Sequence, residues 1–371
     1  MNEYPALVEP AEQLTVDEVR RYSRHLIIPD VGMLGQKRLK NAKVLCVGAG
    51  GLGSPALMYL AAAGVGTLGI VEFDTVDESN LQRQIIHGQS DIGRSKAESA
   101  RDSVKEINPL VNVIIHNTRI DVDNVMEIFS QYDLIVDGTD NFATRYLVND
   151  AAAILGKPYI WGSIYRFDGQ AAVFWSNSGP CYRCLHPTPP PAGSVPSCAE
   201  GGVLGVLCGA IGAIQSNEAI KLITGVGKSL LGSLLIYDAL DSSYKKVEIK
   251  KSTNCPICNG SQSSLLPDYE EFCGIGETIT AQDLRQKSNY LLIDVREPVE
   301  HAALSIPGAL LIPMGKFEDG SAFAQIPADK EIILHCRSGV RSAKCLALLK
   351  AAGFNNSKHL KGGIIAWEES R

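Results

Sequence analysis

Short, wholly apolar runs alternate with amphipathic ones through the first part of the chain. Lys43–Val47 (K-V-L-C-V) reads as a strand buried on both faces. The glycine turn Gly48-Ala-Gly50-Gly51-Leu-Gly53 follows it, and Ser54–Ala63 is a predicted helix. Thr67–Phe73 is a second predicted strand, with Glu72 and Asp74 at its end. Helix Lys96–Ile107, strands Asn112–Ile115 and Leu134–Asp137, and helix Phe142–Asp150 continue the alternation. This predicts an α/β domain on a mostly parallel sheet. Asp137-Gly-Thr-Asp140 then falls at a strand's carboxyl end, where open sheets bind ligands. Gly201–Ile214 is apolar but short, and it runs into Gln215, Asn217, Glu218 and Lys221. A buried helix is expected there, not a membrane span.

After Asn259 the pattern lapses into Gly, Ser, Pro and acidic residues, then resumes. The reading is a domain over 1–260, a linker over 261–276 and a second domain over 277–371. In the second domain Thr280 precedes a predicted helix Ala281–Lys287. Strands Tyr290–Val295 and Ile332–His335, helix Arg341–Ala352 and a terminal Gly362-Gly363-Ile-Ile-Ala-Trp367 helix follow.

With 371 residues, 45% hydrophobic and 20% charged, the chain has enough apolar content for two ordinary globular domains. A net charge of −6 offers no basic excess for phosphates, which argues against nucleic acid as a direct partner. Met1–Leu14 carries acidic residues and prolines, unlike an export signal, so the expected location is cytoplasmic.

Among ten cysteines, Cys181-Tyr-Arg-Cys184 and Cys255-Pro-Ile-Cys258 each place two thiolates on one tight turn. Together they offer four soft ligands for a tetrahedral centre. Disulfides are the alternative, but they are rare in reducing compartments. A structural Zn2+ is expected, tying the first domain's end to its middle. Cys46, Cys208 and Cys345 lie in apolar segments and read as core, and Cys273 falls in the linker. Cys198 and Cys336 remain.

A lone glycine fingerprint is a weak signal that by itself favours a nicotinamide or flavin. Ser79-Asn80-Leu-Gln-Arg83-Gln84 and Lys96 change that reading. Two cations and several amides could clamp a triphosphate and stabilise charge as pyrophosphate departs. Asp140 could hold Mg2+ or cap the following helix, and a solvated surface is the plain alternative for Arg83 and Lys96.

Taken together, Gly48–Gly53, Ser79–Gln84, Asp137–Arg145 (D-G-T-D-N-F-A-T-R), Gly169-Gln170, Pro180–Cys184 and Cys255–Cys258 resemble the adenylyltransferases of molybdopterin and thiamin biosynthesis. These are bacterial relatives of ubiquitin-activating enzymes. The resemblance covers roughly residues 15–260. It implies a Rossmann-like, ATP-binding domain that adenylates the C-terminal glycine of a ubiquitin-like sulfur carrier ending in Gly-Gly. By the same resemblance Gly48, Gly50, Gly51 and Gly53 would approach phosphate, Glu72 the ribose hydroxyls, Arg83 and Lys96 the phosphates, and Asp140 Mg2+. Asp74, Asn80 and Gln84 would complete the nucleotide site. The family often has Asp where this chain has Glu72, and the longer carboxylate can still accept ribose hydroxyls. Arg24 would reach the nucleotide of a partner subunit, implying a homodimer.

Cys336-Arg-Ser-Gly-Val-Arg341 follows an apolar strand and opens a helix. Successive backbone N–H groups can therefore point at one sulfur, while Arg337 and Arg341 add positive charge. With Asp294-Val-Arg296-Glu-Pro298, Ile306–Ala309 and Gly362–Trp367 it resembles the rhodanese-type sulfurtransferases over 277–369. A phosphatase loop would need a fifth intervening residue; four separate Cys336 from Arg341, which suits a persulfide. Cys198 matches the adenylyltransferase position at which a cysteine can link to the activated carrier or to transferred sulfur. An incidental exposed thiol is the alternative.

The expected catalytic residues are thus Cys336, Cys198, Arg83 and Asp140, with ATP, Mg2+ and Zn2+ as cofactors. The partners would be the carrier and a sulfur donor such as a cysteine desulfurase or thiosulfate. Molybdopterin, thiamin and other sulfur-transfer pathways stay open. The alternatives are a nicotinamide-dependent oxidoreductase with a regulatory tail, or a carrier activator whose second domain is not catalytic.

Overall fold

The computed structural model of the chain describes residues 5–190, 202–273, 278–327 and 330–370. They form two compact units, the first holding the described residues up to Thr188 and those of Ser197–Pro267, the second those of Pro189–Pro196 and Asp268–Arg371. The first is built on an eight-stranded sheet of order β3-β2-β1-β4-β5-β6-β7-β8. Its strands are β1 (Lys43–Val47), β2 (Thr67–Val71), β3 (Asn112–His116), β4 (Leu134–Asp137), β5 (Tyr159–Tyr165), β6 (Asp168–Phe174), β7 (Ser233–Asp238) and β8 (Ser243–Glu248). The β1–β2, β2–β3, β1–β4 and β4–β5 pairs are parallel, whereas β5–β6, β6–β7 and β7–β8 are antiparallel. The sheet is therefore mixed, and the expectation of a mostly parallel sheet describes its first half. The unbroken apolar runs became the buried parallel centre, with β4 buried throughout. The missed β8 (S-Y-K-K-V-E) is exposed along its whole length, an edge strand carrying lysines.

Register decides where the site lies. Val47 of β1 stands opposite both Val71 of β2 and Asp137 of β4. Gly48, Glu72 and Gly138 therefore leave the sheet side by side, at the point where strand order reverses. Helix Gly53–Ala63 leads away from the glycine turn and packs against helix Gly205–Thr224.

Helix Gly205–Thr224 is, among the described residues, long and apolar enough to cross a membrane by length and composition. Its role here is in the core: Leu207, Cys208 and Ile211 are buried, and buried Gln215 donates to Asp137 O (2.7 Å) and Ile160 O (3.2 Å). Helix Phe142–Ile154 runs a turn beyond the expected Asp150, because Ala151 and Ala152 extend its buried face.

The second unit carries an all-parallel sheet of order β11-β10-β12-β13-β9. Its strands are β9 (Thr278–Ile279), β10 (Tyr290–Asp294), β11 (Leu310–Leu311), β12 (Glu331–His335) and β13 (Ser357–Leu360). One face packs Ile293, Leu334 and Leu346; the other packs Leu292, Ile333, Leu360 and Trp367. Cys273 is buried within this unit, not exposed in a linker.

Candidate functional site

A cavity of about 330 Å³ opens at the carboxyl ends of β1, β2 and β4. It brings together Gly48, Gly50, Gly51, Glu72, Asp74, Arg83, Gln84, Lys96 and Asp140, residues spread over nearly a hundred positions of sequence. The turn requires glycine at two places. Gly48 has φ +95°, and a Cβ on Gly53 would fall 2.0 Å from Gly48 O, so Gly53 serves close packing beneath the turn.

The Glu72 carboxylate accepts hydrogen bonds from the amides of Ala49 (3.1 Å), Phe73 (2.9 Å) and Asp74 (3.0 Å). Lys96 is buried with its ammonium 3.1 Å from Asp74. Arg83 donates to Ser79 O (3.1 Å), and Asp140 stands exposed on the rim.

Three expected residues do not line this cavity among the described residues: Gly53, which packs beneath the turn, Asn80 and Arg24. Asn80 spends its side chain accepting from Asp77 N (3.3 Å), shaping the turn that carries Arg83. Arg24 is exposed on helix Ser23–Leu26. Cys198 lies outside the described residues.

Three cavity features escaped sequence reading. Thr118 and Arg119 line it after β3, and a polar run at that strand's end was the available signal. Arg145 lines it too; its Nε and Nη2 donate to Thr139 O (3.3 and 3.2 Å) while its guanidinium lies over Phe142 and Trp161. His87 is buried below the glycine turn, bonded to Ala49 O (3.1 Å) and Ser99 Oγ (2.8 Å). These partners require the Nε2–H tautomer, and burial lowers the ring's pKa, which keeps it neutral. Gln84 Oε1 and Thr139 Oγ1 are buried without a hydrogen-bond partner among the described residues, and both residues line the cavity. Such atoms suit a polar ligand.

The sulfurs of Cys181, Cys184, Cys255 and Cys258 all lie within 4.8 Å of one another, with neighbours at 3.5, 3.6 and 3.9 Å. Tetrahedral zinc with four thiolates sets sulfurs about 3.8 Å apart, so the donor set fits. Four thiolates this close need a cation to neutralise them. Beside them a fully buried Arg183–Asp150 pair (2.6 and 2.8 Å) fixes the first cysteine turn to helix Phe142–Ile154.

In the second unit Cys336 sits at the end of β12, 1% exposed, and accepts the Gly339 N–H at 3.1 Å. Ile364 N donates to Cys336 O (2.8 Å), and a Cβ on Gly363 would meet Cys336 O at 2.5 Å. The Gly-Gly pair thus lets the last helix close under the loop. The expected positive cradle needs one correction. Arg341 is held by both Glu300 oxygens at 2.7 Å, so much of its charge is cancelled, while Arg337 remains exposed. Asp294 accepts a bidentate pair from Arg296, whose Nη2 also donates to Leu304 O (2.6 Å), tying the strand end to the next loop.

Residues 22–257 match the ThiF family, and residues 279–370 match the rhodanese-like domain. The chain belongs to the ThiF family and carries a rhodanese-like domain behind it. It is 57% identical to the probable adenylyltransferase/sulfurtransferase MoeZ of Mycobacterium tuberculosis, over 98% of this chain and 96% of the relative. It is 51% identical to the sulfur carrier protein adenylyltransferase of Thermus thermophilus, over 70% of this chain and 98% of that one. It is 41% identical to the adenylyltransferase and sulfurtransferase MOCS3 of Drosophila grimshawi, over 98% of this chain and 87% of the relative. Among solved structures, Escherichia coli MccB shares the fold of the first unit, with TM-score 0.59 at 21% identity over 67% of this chain and 75% of that one. The oxidoreductase alternative falls with this family assignment.

Proposed function

We propose that this chain is a two-step enzyme: it adenylates the C-terminal glycine of a ubiquitin-like sulfur carrier, then converts that carboxyl to a thiocarboxylate. The observation that carries this reading is the convergence of the glycine turn, Glu72, Arg83, Lys96 and Asp140 on one cavity, in a chain that also holds a Cys336 loop. A carboxylate is a poor electrophile; joined to AMP it gains a good leaving group. In the proposed first step the carrier carboxylate oxygen attacks the α-phosphorus of ATP and pyrophosphate leaves. The glycine-turn amides, Arg83 and Lys96 offset its charge. Glu72, with its oxygens fixed by three backbone amides, orients the ribose. Asp140 would hold Mg2+, which supplies further neutralisation of the phosphates when bound.

In the second step a Cys336 persulfide attacks the acyl carbon and AMP leaves with the C–O bonding pair. A thiol then attacks Cys336 Sγ, and the thiocarboxylate leaves with the S–S bonding pair. Cys198 is the proposed attacking thiol, and external thiol would reduce the resulting disulfide. Zn2+ at Cys181, Cys184, Cys255 and Cys258 is structural, since four sulfurs leave no open position. The exposure of Arg24 supports a homodimer in which it serves the partner subunit's nucleotide. The sulfur donor is proposed to be a desulfurase persulfide or thiosulfate.

Carrier-dependent ATP–pyrophosphate exchange, followed by mass spectrometry of the carrier, tests the scheme. Arg83→Ala and Asp140→Ala should each lose exchange by at least a hundredfold; unchanged exchange removes them from the site. Cys336→Ala should keep exchange yet yield no thiocarboxylate, and intact sulfur transfer would refute its role.

A further inference from the structure

Beneath the Cys336 loop runs a buried hydrogen-bond chain that the sulfur chemistry above leaves unused. Ser342, in the first turn of helix Val340–Ala351, is fully buried, with Oγ 3.6 Å from Cys336 Sγ. The same oxygen is 3.3 Å from His359 Nδ1 on β13 and 3.0 Å from Gly339 O. Cys336 and His359 are 1% and 3% exposed, so bulk water competes little for these bonds.

A hydroxyl has one hydrogen to give. Here it can point to Gly339 O, to an unprotonated His359 Nδ1, or to the sulfur. Only the last orientation stabilises negative charge on Cys336. The His359 tautomer selects among them: a proton on Nδ1 makes the ring a donor to Oγ and removes one competing acceptor. The remaining choice is between a neutral carbonyl and the sulfur, and a thiolate wins because a charge-assisted bond is roughly twice as strong.

We propose that Ser342 and His359 form an orientation relay, in which Ser342 is a catalytic donor to the Cys336 thiolate and His359 a positioning residue acting through it. This rests on Cys336 being the sulfur-carrying residue. During loading from thiosulfate, Cys336 Sγ attacks the outer sulfur. A new S–S bond forms, the thiosulfate S–S bond breaks and sulfite leaves with its electron pair. During discharge to cyanide, carbon takes the outer sulfur as thiocyanate and Cys336 leaves as thiolate. The relay acts chiefly on discharge, where charge returns to Sγ. In loading, a better stabilised thiolate is more abundant but less nucleophilic, and the two effects offset.

The test is thiosulfate–cyanide sulfurtransferase kinetics on the full chain. Ser342→Ala should lower kcat/KM for cyanide about tenfold, the worth of one hydrogen bond to an anion, with kcat/KM for thiosulfate changed less than threefold. His359→Gln, which withdraws the Nδ1–H donor that orients Oγ, should show part of that loss, and His359→Asn should recover most of it. The Ser342→Ala/His359→Gln double variant should be no slower than Ser342→Ala, since His359 acts only through the hydroxyl. Unchanged discharge in Ser342→Ala, or losses that multiply in the double variant while melting temperatures hold, would overturn the relay. Wild-type transfer no greater than that of Cys336→Ala would instead bring down the Cys336 reading itself.

Discussion

Two aspartates occupy the same station in the two units and end up in opposite states. Asp137 closes β4 and Asp294 closes β10; both are fully buried at the end of an apolar parallel strand. Each accepts on Oδ1 the backbone N–H two residues on, from Thr139 at 2.9 Å and from Arg296 at 3.0 Å. They differ in what that residue's side chain supplies. Burial would raise the Asp294 pKa, but Arg296 and His301 outweigh it and hold the carboxyl down at about 2. Asp137 has no ion-pair partner among the described residues: Oδ2 is unpaired, Thr139 and the charge of Arg145 offset only part of the cost, and burial pushes the pKa up to about 6. A strand-end carboxylate is thus a closed strut where the chain brings its own cation. Where it does not, the carboxylate stays only partly compensated.

The largest effect should come from removing that cation. Arg296→Met strands a buried charge and should destabilise the second unit by about 3–5 kcal/mol. Calorimetry of the full chain would show one transition falling and the other unmoved. Asp137→Asn, which removes a charge that burial disfavours, should instead stabilise the first unit at neutral pH, by no more than about 3 kcal/mol. A reversed order of these two effects would break the comparison.

Acidification moves the contributions of two buried groups in opposite directions. The raised pKa of Asp137 means its contribution is fully present below about 4 and is lost as pH rises through about 6, so Asp137 adds stability from pH 7 to 5, opposed by buried histidines of the same unit such as His87. Beside Asp294, burial lowers the pKa of His335 to about 4. Its contribution is present above about 6.5 and is lost as pH falls toward 4, so the second unit should weaken over the same interval. Each change is bounded by about 3 kcal/mol. Asp294 itself adds a further loss only as pH drops from about 4 toward 2. Asp137→Asn should remove the first contribution and His335→Gln the second, each read as the difference from wild type, and a slope unchanged in either variant would contradict its assignment.

The smallest expected effect is Glu300→Gln. The Glu300–Arg341 pair is bidentate but 24–30% exposed, so its loss should cost only about 0.5–1 kcal/mol of second-unit stability, read from the same scans.

Much of the first unit's cavity was legible because its parts are local. A glycine turn after an apolar run, an acidic strand end and a D-x-x-D loop each announce themselves within a few residues. The cysteine turns and the Cys336 loop did so for the same reason. What escaped was set by long-range pairing. His87 looks like a histidine among isoleucines until the fold carries it under Ala49 O, and Arg145 reads as a helix residue until it turns back to Thr139. The strands β7 and β8 mix polar and apolar positions, since they are half-buried and exposed, while β5 and β6 are buried over most of their length but carry Gly, Ser and Gln among their apolar residues, so none gave a clean period.

The amino-acid order alone determined the parallel centre of the first sheet, the metal-ligand spacing and the thiol loop. In each the deciding interactions lie within one turn or one strand. Tertiary structure alone decided which charges survive: that Glu300 cancels Arg341, that Arg296 closes on Asp294, and that Asp137 Oδ2 has no hydrogen-bond partner among the described residues. Burial and Coulomb energy depend on distances between segments far apart in the chain, and no local pattern encodes those distances.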